Sequence, residues 1–262
     1  MFDLLSTVHT IHTLINFVYN GIPSVLEMTL ASGHWVEKET EGMPPSPRAG
    51  HAVAVAGNIA FLHGGVSNTN SVPEYLNDFY MITVSPSCIT WEMMPQNGVV
   101  PTAREGHTLC VVKGKLYLFG GSCHPEAREC LPGVYCFDVV TLRWEKLNTG
   151  GVVLKTLKHS SAALGDNIYV YGGILDGTPR DDLMMFNTVS LIWTPIKTSG
   201  TPPSARYNHT CALVNEQIFL FGGCEVDGSY YKDIHVLNIG VATANHLSPP
   251  IPIFCILNTC TH

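Results

Sequence analysis

The chain has 262 residues, 45% of them hydrophobic and only 13% charged, which excludes disorder driven by excess charge and allows a sizeable core. Its 14 Lys+Arg against 21 Asp+Glu leave a formal net charge of −7, which argues against a polyanion-binding surface. With 24 glycines and 17 prolines it is neither collagen-like nor low-complexity, and it suits an all-β protein with many turns.

In chain order, residues 1–29 form a segment without Lys or Arg. Asp3, His9, His12, Asn16 and Asn20 break its apolar run, so neither a signal peptide nor a membrane-spanning helix is expected. Nine cysteines, an odd number spread from Cys88 to Cys260, point to a reduced compartment, cytoplasmic or nuclear. A strand carrying Trp35 comes next, without three strands before it.

From there the chain repeats. A Gly-Gly pair closes an apolar run four times, at Gly64-Gly65, Gly120-Gly121, Gly172-Gly173 and Gly222-Gly223, with spacings of 56, 52 and 50 residues. His51, His107, His159 and His209 keep the same spacings. Trp35, Trp91, Trp144 and Trp193 each stand 15 or 16 residues before one of those histidines. Every unit predicts four strands. The first follows the histidine, and the second runs into Gly-Gly after a tight turn such as Lys113-Gly114-Lys115. The third resembles Asp182–Phe186, and the fourth carries the tryptophan. One buried tryptophan per unit is expected.

Four-stranded units every ~50 residues describe propeller blades. The pattern resembles the kelch-repeat β-propellers, whose signature stands here as Arg48…His51, Gly64-Gly65, Asp78 and Trp91. It recurs as Arg104…His107, Gly120-Gly121 and Trp144, and as Arg206…His209, Gly222-Gly223 and Asp233. The third unit has Asp182 but Thr156 where the arginine belongs. The Gly-x-x-Pro-x-x-Arg linkers (Gly42–Arg48, Gly200–Arg206) are similar to the kelch domain-containing, Rab-effector and host-cell-factor types, without a BTB domain.

The expected units are 44–96, 97–149, 150–198 and 199–240, with 30–43 a partial one inside a kelch region spanning 30–240. The tail 241–262 has no repeat feature. Four recognisable blades of four antiparallel strands are fewer than the six or seven usual in the family. Either the Trp35 strand completes the last blade and closes a small ring, or the propeller is incomplete, a shortened form of a longer one. The second arrangement is favoured.

The chemistry-bearing residues fit structure better than catalysis. His51, His107, His159 and His209 occupy one equivalent position per blade, whereas a site needs different residues to converge. Their expected role is hydrogen bonding to backbone at the start of each inner strand. Cys123, His124, Cys130 and Cys136 lack the spacing of a zinc site. No metal, cofactor or catalytic residue is therefore assigned.

Antiparallel alternation places the loops after each Gly-Gly on the same face as the blade-to-blade linkers. What the resemblance implies is partner binding on that face, with motif arginines reading acidic or carboxyl groups. The candidate partner-binding residues are Arg48, Arg104, Arg180, Arg206, Tyr75, Tyr207 and Tyr230, joined by Arg128 and Tyr231. Structural salt bridges from the arginines to a neighbouring blade are the competing role. The expected function is a non-enzymatic scaffold or adaptor for a protein or peptide, with no nucleic acid and no membrane insertion. Alternatives are the substrate-recognition subunit of a ubiquitin ligase and, in another class, a propeller oxidase, lyase or isomerase.

Overall fold

A computed structural model describes residues 38–69, 72–85, 88–124 and 129–239. Expectations for 1–29, Trp35, Arg128 and 241–262 lie outside these. The described residues contain strands and turns but no helix, and they form four propeller blades.

Blade 1 comprises β1 (Thr40–Gly42), β2 (Ala52–Ala56), β3 (Ile59–Ser67), β4 (Glu74–Val84) and β5 (Ile89–Met93), in the spatial order β1-β5-β4-β3-β2. Blade 2 repeats it with β6 (Asn97–Gly98), β7 (Glu105–Val112), β8 (Lys115–Ser122), β9 (Val134–Asp138) and β10 (Arg143–Leu147). Blade 3 has β11 (Gly150–Gly151), β12 (Ser160–Leu164) and β13 (Asn167–Tyr171). A small hairpin of β14 (Ile174–Leu175) and β15 (Thr178–Pro179) precedes its β16 (Leu183–Asn187) and β17 (Ile192–Pro195). Blade 4 shows only β18 (Thr210–Val214), β19 (Gln217–Phe221) and β20 (Ile234–Asn238).

The short leading strands β1, β6 and β11 are an addition to the four expected per blade. Each pairs in parallel with the outermost strand of its sheet, so Gly42, Gly98 and Gly151 lie opposite Trp91, Trp144 and Trp193. The four main strands are antiparallel, as alternating apolar patterns and tight turns require. Asx turns carry the third strand into the fourth. The Asp138 carboxylate accepts from the N–H groups of Val140 and Thr141 (both 2.9 Å), and the Asn187 side-chain oxygen accepts from those of Val189 and Ser190.

The core lies in the seams between blades. Between blades 1 and 2 the apolar cluster joins Phe61 and Phe79 to Leu118, Phe137 and Trp144. Between blades 2 and 3 it joins Phe119 and Val134 to Ile168, Phe186 and Trp193. Between blades 3 and 4 it joins Tyr169 to Cys211, Leu213 and Ile218, with no tryptophan. Trp91, Trp144 and Trp193 are buried as expected, Trp144 at 1% exposure. Trp144 and Trp193 pack against the preceding blade, so these two seams are filled from their downstream side.

Candidate functional site

The Arg-x-x-His segment enters each blade at its inner strand, and its side chains point inward. Arg48, Arg104 and Arg206 are at most 1% exposed. Arg48 donates to the Gly64 carbonyl (3.1 Å), to the Ser46 carbonyl and hydroxyl, and through both Nη atoms to the Asp78 carboxylate. Arg206 repeats the set with Gly222, Ser204 and Asp233, the ion pair closing at 2.6 and 2.9 Å. Arg104 bonds Gly120 and Thr102 and lies 5.2 Å from the centre of the Tyr135 ring, which stands in for a carboxylate. In blade 3 the Thr156 hydroxyl donates to the Gly172 carbonyl (2.8 Å), doing the arginine's work with a shorter side chain.

These contacts correct two expectations. The three motif arginines are buried instead of exposed on the loop face, with their guanidinium groups bonded to backbone and hydroxyl groups and, for Arg48 and Arg206, to a carboxylate. Their ion pairs also stay within the arginine's own blade instead of reaching a neighbour. A signal for this was present: Ser46, Thr102 and Ser204 each stand two residues before an arginine, placing a hydroxyl where the guanidinium needs an acceptor.

Two of the motif histidines, His107 and His159, also differ from expectation. The His107 Nε2 meets the His63 Nδ1 of the preceding blade at 3.1 Å, and the His159 Nε2 meets the Thr108 hydroxyl at 2.9 Å. Burial pushes the imidazoles of His63, His159 and His209 down to about 3, with neighbouring positive charge adding to the effect, and that of His51 to about 4. They are neutral packing elements at neutral pH. Among the described residues no group of three or more His, Cys, Asp or Glu side chains is placed to hold a metal ion.

Three candidates come together on the loop face at the seam of blades 3 and 4. The Arg206 N–H donates to the Arg180 carbonyl (3.0 Å), which sets Arg180 beside Tyr207. Cys224 forms isolated bridges with both Tyr207 and Tyr230. Arg180 is exposed and pairs with Asp182 at 2.5 Å, while Tyr230 is 66% exposed. Tyr231 donates to Glu225 (3.0 Å), and the Arg206 guanidinium lies 4.0 Å from its ring centre. Tyr75 lies apart, at the seam of blades 1 and 2. Burial, with Glu105 and Cys123 nearby, pushes its phenol up to about 12.

A relay that sequence reading missed runs beneath this face. The Gly106 N–H donates to the Gly50 carbonyl (2.9 Å), that of Lys158 to Gly106 (2.7 Å) and that of Asn208 to Lys158 (2.8 Å). All four relay residues have positive φ, from 55° to 65°. Lys158 and Asn208 gave no warning, because neither is glycine. Among the described residues the relay ends at Gly50 and Asn208, and the inner strands of blades 4 and 1 do not pack along each other as those of successive blades do. Among the described residues the four blades form an open arc.

Repeated four-stranded sheets packed face to face around an inner relay define a β-propeller. The chain belongs to the kelch-repeat family. The family model described as the KLHDC2/KLHL20/DRC7 Kelch-repeats domain matches residues 20–173 and 106–253. Among relatives, the chain is 33% identical to human host cell factor 2 over 234 residues, covering 74% of this chain and 29% of that protein. It is 26% identical to human Kelch domain-containing protein 3 over 223 residues, covering 78% and 57%. The chain thus spans less than two thirds of either relative. The solved structure of YjhT superimposes with a TM-score of 0.60 at 16% identity, over 77% of this chain and 72% of that one, a likeness of fold.

Proposed function

We infer that this chain is a non-enzymatic interaction module that binds a protein or peptide partner through the loop face at the seam of blades 3 and 4. The observation that carries the reading is a division of labour. The motif arginines and histidines are consumed in packing, whereas Arg180 and Tyr230 stand exposed beside Tyr207 on loops held by a rigid sheet framework. Arginine and tyrosine are the residue types interfaces favour, and a net charge of −7 disfavours nucleic acid as the ligand. Tyr75 would add a second contact point at the seam of blades 1 and 2. No helix among the described residues is long and apolar enough to cross a membrane. Cys88, Cys123, Cys130, Cys136 and Cys224 stand outside any disulfide, in keeping with a reduced compartment, cytoplasm or nucleus.

Capture experiments test the reading. A specific partner should be retained by the wild type and lost by the Arg180→Ala/Tyr230→Ala double variant, with an unchanged unfolding midpoint. Undiminished capture by that variant rejects the site, and turnover of a small molecule rejects the class. Within the class, recovery of a cullin complex would favour recognition of substrates for a ubiquitin ligase over a scaffold role.

A further inference from the structure

The seam between blades 3 and 4 contains a cavity of about 190 Å³, and its walls repeat those that hold tryptophan elsewhere. In the seam of blades 1 and 2, Trp144 sits 5.7 Å from His63, 5.3 Å from Phe79 and 5.0 Å from Phe137, measured between ring centres. Its indole N–H donates to the Gln96 side-chain oxygen at 3.1 Å. In the next seam Trp193 sits 5.3 Å from Phe119 and 4.9 Å from Phe186.

Strand register identifies the matching residues of the third seam. Tyr171 precedes Gly-Gly as His63 and Phe119 do. Leu183 pairs with Tyr171 as Phe79 pairs with His63. Leu237 pairs with Ile218 as Phe186 pairs with Ile168 and Phe137 with Leu116. Thr198 follows Trp193 by five residues as Gln96 follows Trp91. Tyr171, Leu183, Thr198 and Leu237 all line the cavity. An apolar cavity of about 150 Å³ already admits benzene, so this space suits an aromatic ring.

Along the cavity's outer rim β20 has β19 on one side and, among the described residues, no strand on the other. A tryptophan-bearing strand is the missing piece: it would pair with the β20 edge and lay its indole in the slot.

We propose that the cavity and the free edge of β20 receive segment 34–38 of a second copy of this chain, with Trp35 in the slot. Trp35 precedes His51 by 16 residues, as Trp91 and Trp193 precede their own blade-entry histidines. Antiparallel register with Trp35 opposite Leu237 sets Val36 opposite Val236, which is 45% exposed, and Glu37 opposite His235. The Thr198 hydroxyl then stands where Gln96 accepts the indole N–H of Trp144. The donor is a second copy because β1, five residues after Trp35, is paired into blade 1 at the far end of an open arc. The outward face of blade 4 agrees: Phe221 and Ile234 are 54% and 64% exposed, with no blade against them among the described residues.

Sedimentation of the purified chain over a range of concentrations tests this. The wild type should self-associate, and Trp35→Ala should be monomeric with its unfolding midpoint kept. Thr198→Trp, a change at an exposed rim position, should fill the slot and also be monomeric. Mixed together, the two variants should combine one to one, since the first retains the slot and the second retains the strand. A synthetic peptide of residues 30–43 should dissociate the wild-type assembly, whereas the same peptide with alanine for Trp35 should not; this arm holds even where a variant fails to fold. A wild type that stays monomeric, association that survives Trp35→Ala, or variants that do not combine would overturn the proposal. A monomer whose Trp35 is shielded from quencher would instead assign the strand to the same chain. Loss of partner capture by Arg180→Ala/Tyr230→Ala is independent of all these results.

Discussion

His107 and Gly64 compete for one space: a Cβ on Gly64 would lie 3.1 Å from the His107 Cε1 across the seam between blades 1 and 2. The same holds for Gly120 with His159 (2.5 Å) and Gly172 with His209 (3.0 Å). The second glycine of each pair faces the histidine of its own blade, as Gly65 meets the His51 Cβ at 3.1 Å. In the first three blades the doublet is therefore held between two histidines, the ring of one from across the seam and the Cβ of the other from its own blade. That is why glycine pairs and histidines keep step along the chain. Among the described residues no further blade stands beyond Gly222, which meets only the Tyr231 carbonyl oxygen, at 3.4 Å.

Gly120→Ala should therefore cost far more than Gly222→Ala. Both impose a methyl group on a residue at positive φ, for about 1 kcal/mol. At Gly120 the methyl also collides with His159 and with the Thr156 carbonyl oxygen, both 2.5 Å away, adding roughly 1–3 kcal/mol of overpacking. Urea unfolding of the two variants compares them directly, and equal losses would dismiss the seam contact.

Arg206→Ala and Arg180→Ala should part company. Arg206 is fully buried and holds the Gly222 carbonyl and Asp233, so its removal should destabilise by about 3 kcal/mol. Arg180 is exposed, and its removal should shift stability by no more than about 0.5 kcal/mol while weakening partner capture. Denaturation midpoints and capture yields, measured on both, separate a structural from a binding arginine.

Mild acid should unfold the propeller. The folded-state pKa values of His63, His159 and His209 lie at about 3, below the ordinary 6.5, so the unfolded chain binds protons that the folded chain refuses. Stability is then full above pH 6.5 and falls as the pH drops toward 3, each imidazole contributing about 1.4 kcal/mol per pH unit. Asp233 acts lower down: hydrogen bonding to Arg206, opposed by its own partial burial, holds its carboxyl below the usual range, so its contribution is lost only in stronger acid. Urea midpoints at pH 7, 6 and 5 should decline in that order, more steeply than carboxylates alone allow. A flat profile over this range would show that the imidazoles titrate normally.

Trp144→Ala should be among the most damaging core changes, at about 3–5 kcal/mol, because the indole links both sides of a seam and its N–H holds Gln96. Trp144→Phe should lose less, keeping ring packing while dropping that hydrogen bond. Thermal unfolding of the two variants gives the ranking, and equal losses would show that packing around the ring contributes nothing beyond the indole N–H.

Periodicity is a property of order along the chain, and it was enough to give the all-β class, the propeller, the number of visible blades and the buried tryptophans, since every copy must bury the same face in the same way. It could not say which side of the fold an arginine serves. Arg48 and Arg180 both read as cations near a loop, and burial separates them only once Asp78 and the Gly64 carbonyl are brought to the first from 30 and 16 residues away. The histidine–glycine contacts were hidden for a related reason, since they join one repeat to the next while the pattern is read within a repeat. The slot at Tyr171, Leu183 and Leu237 exists only where two blades meet and the tryptophan is lacking, and no single strand encodes a space shared by two sheets.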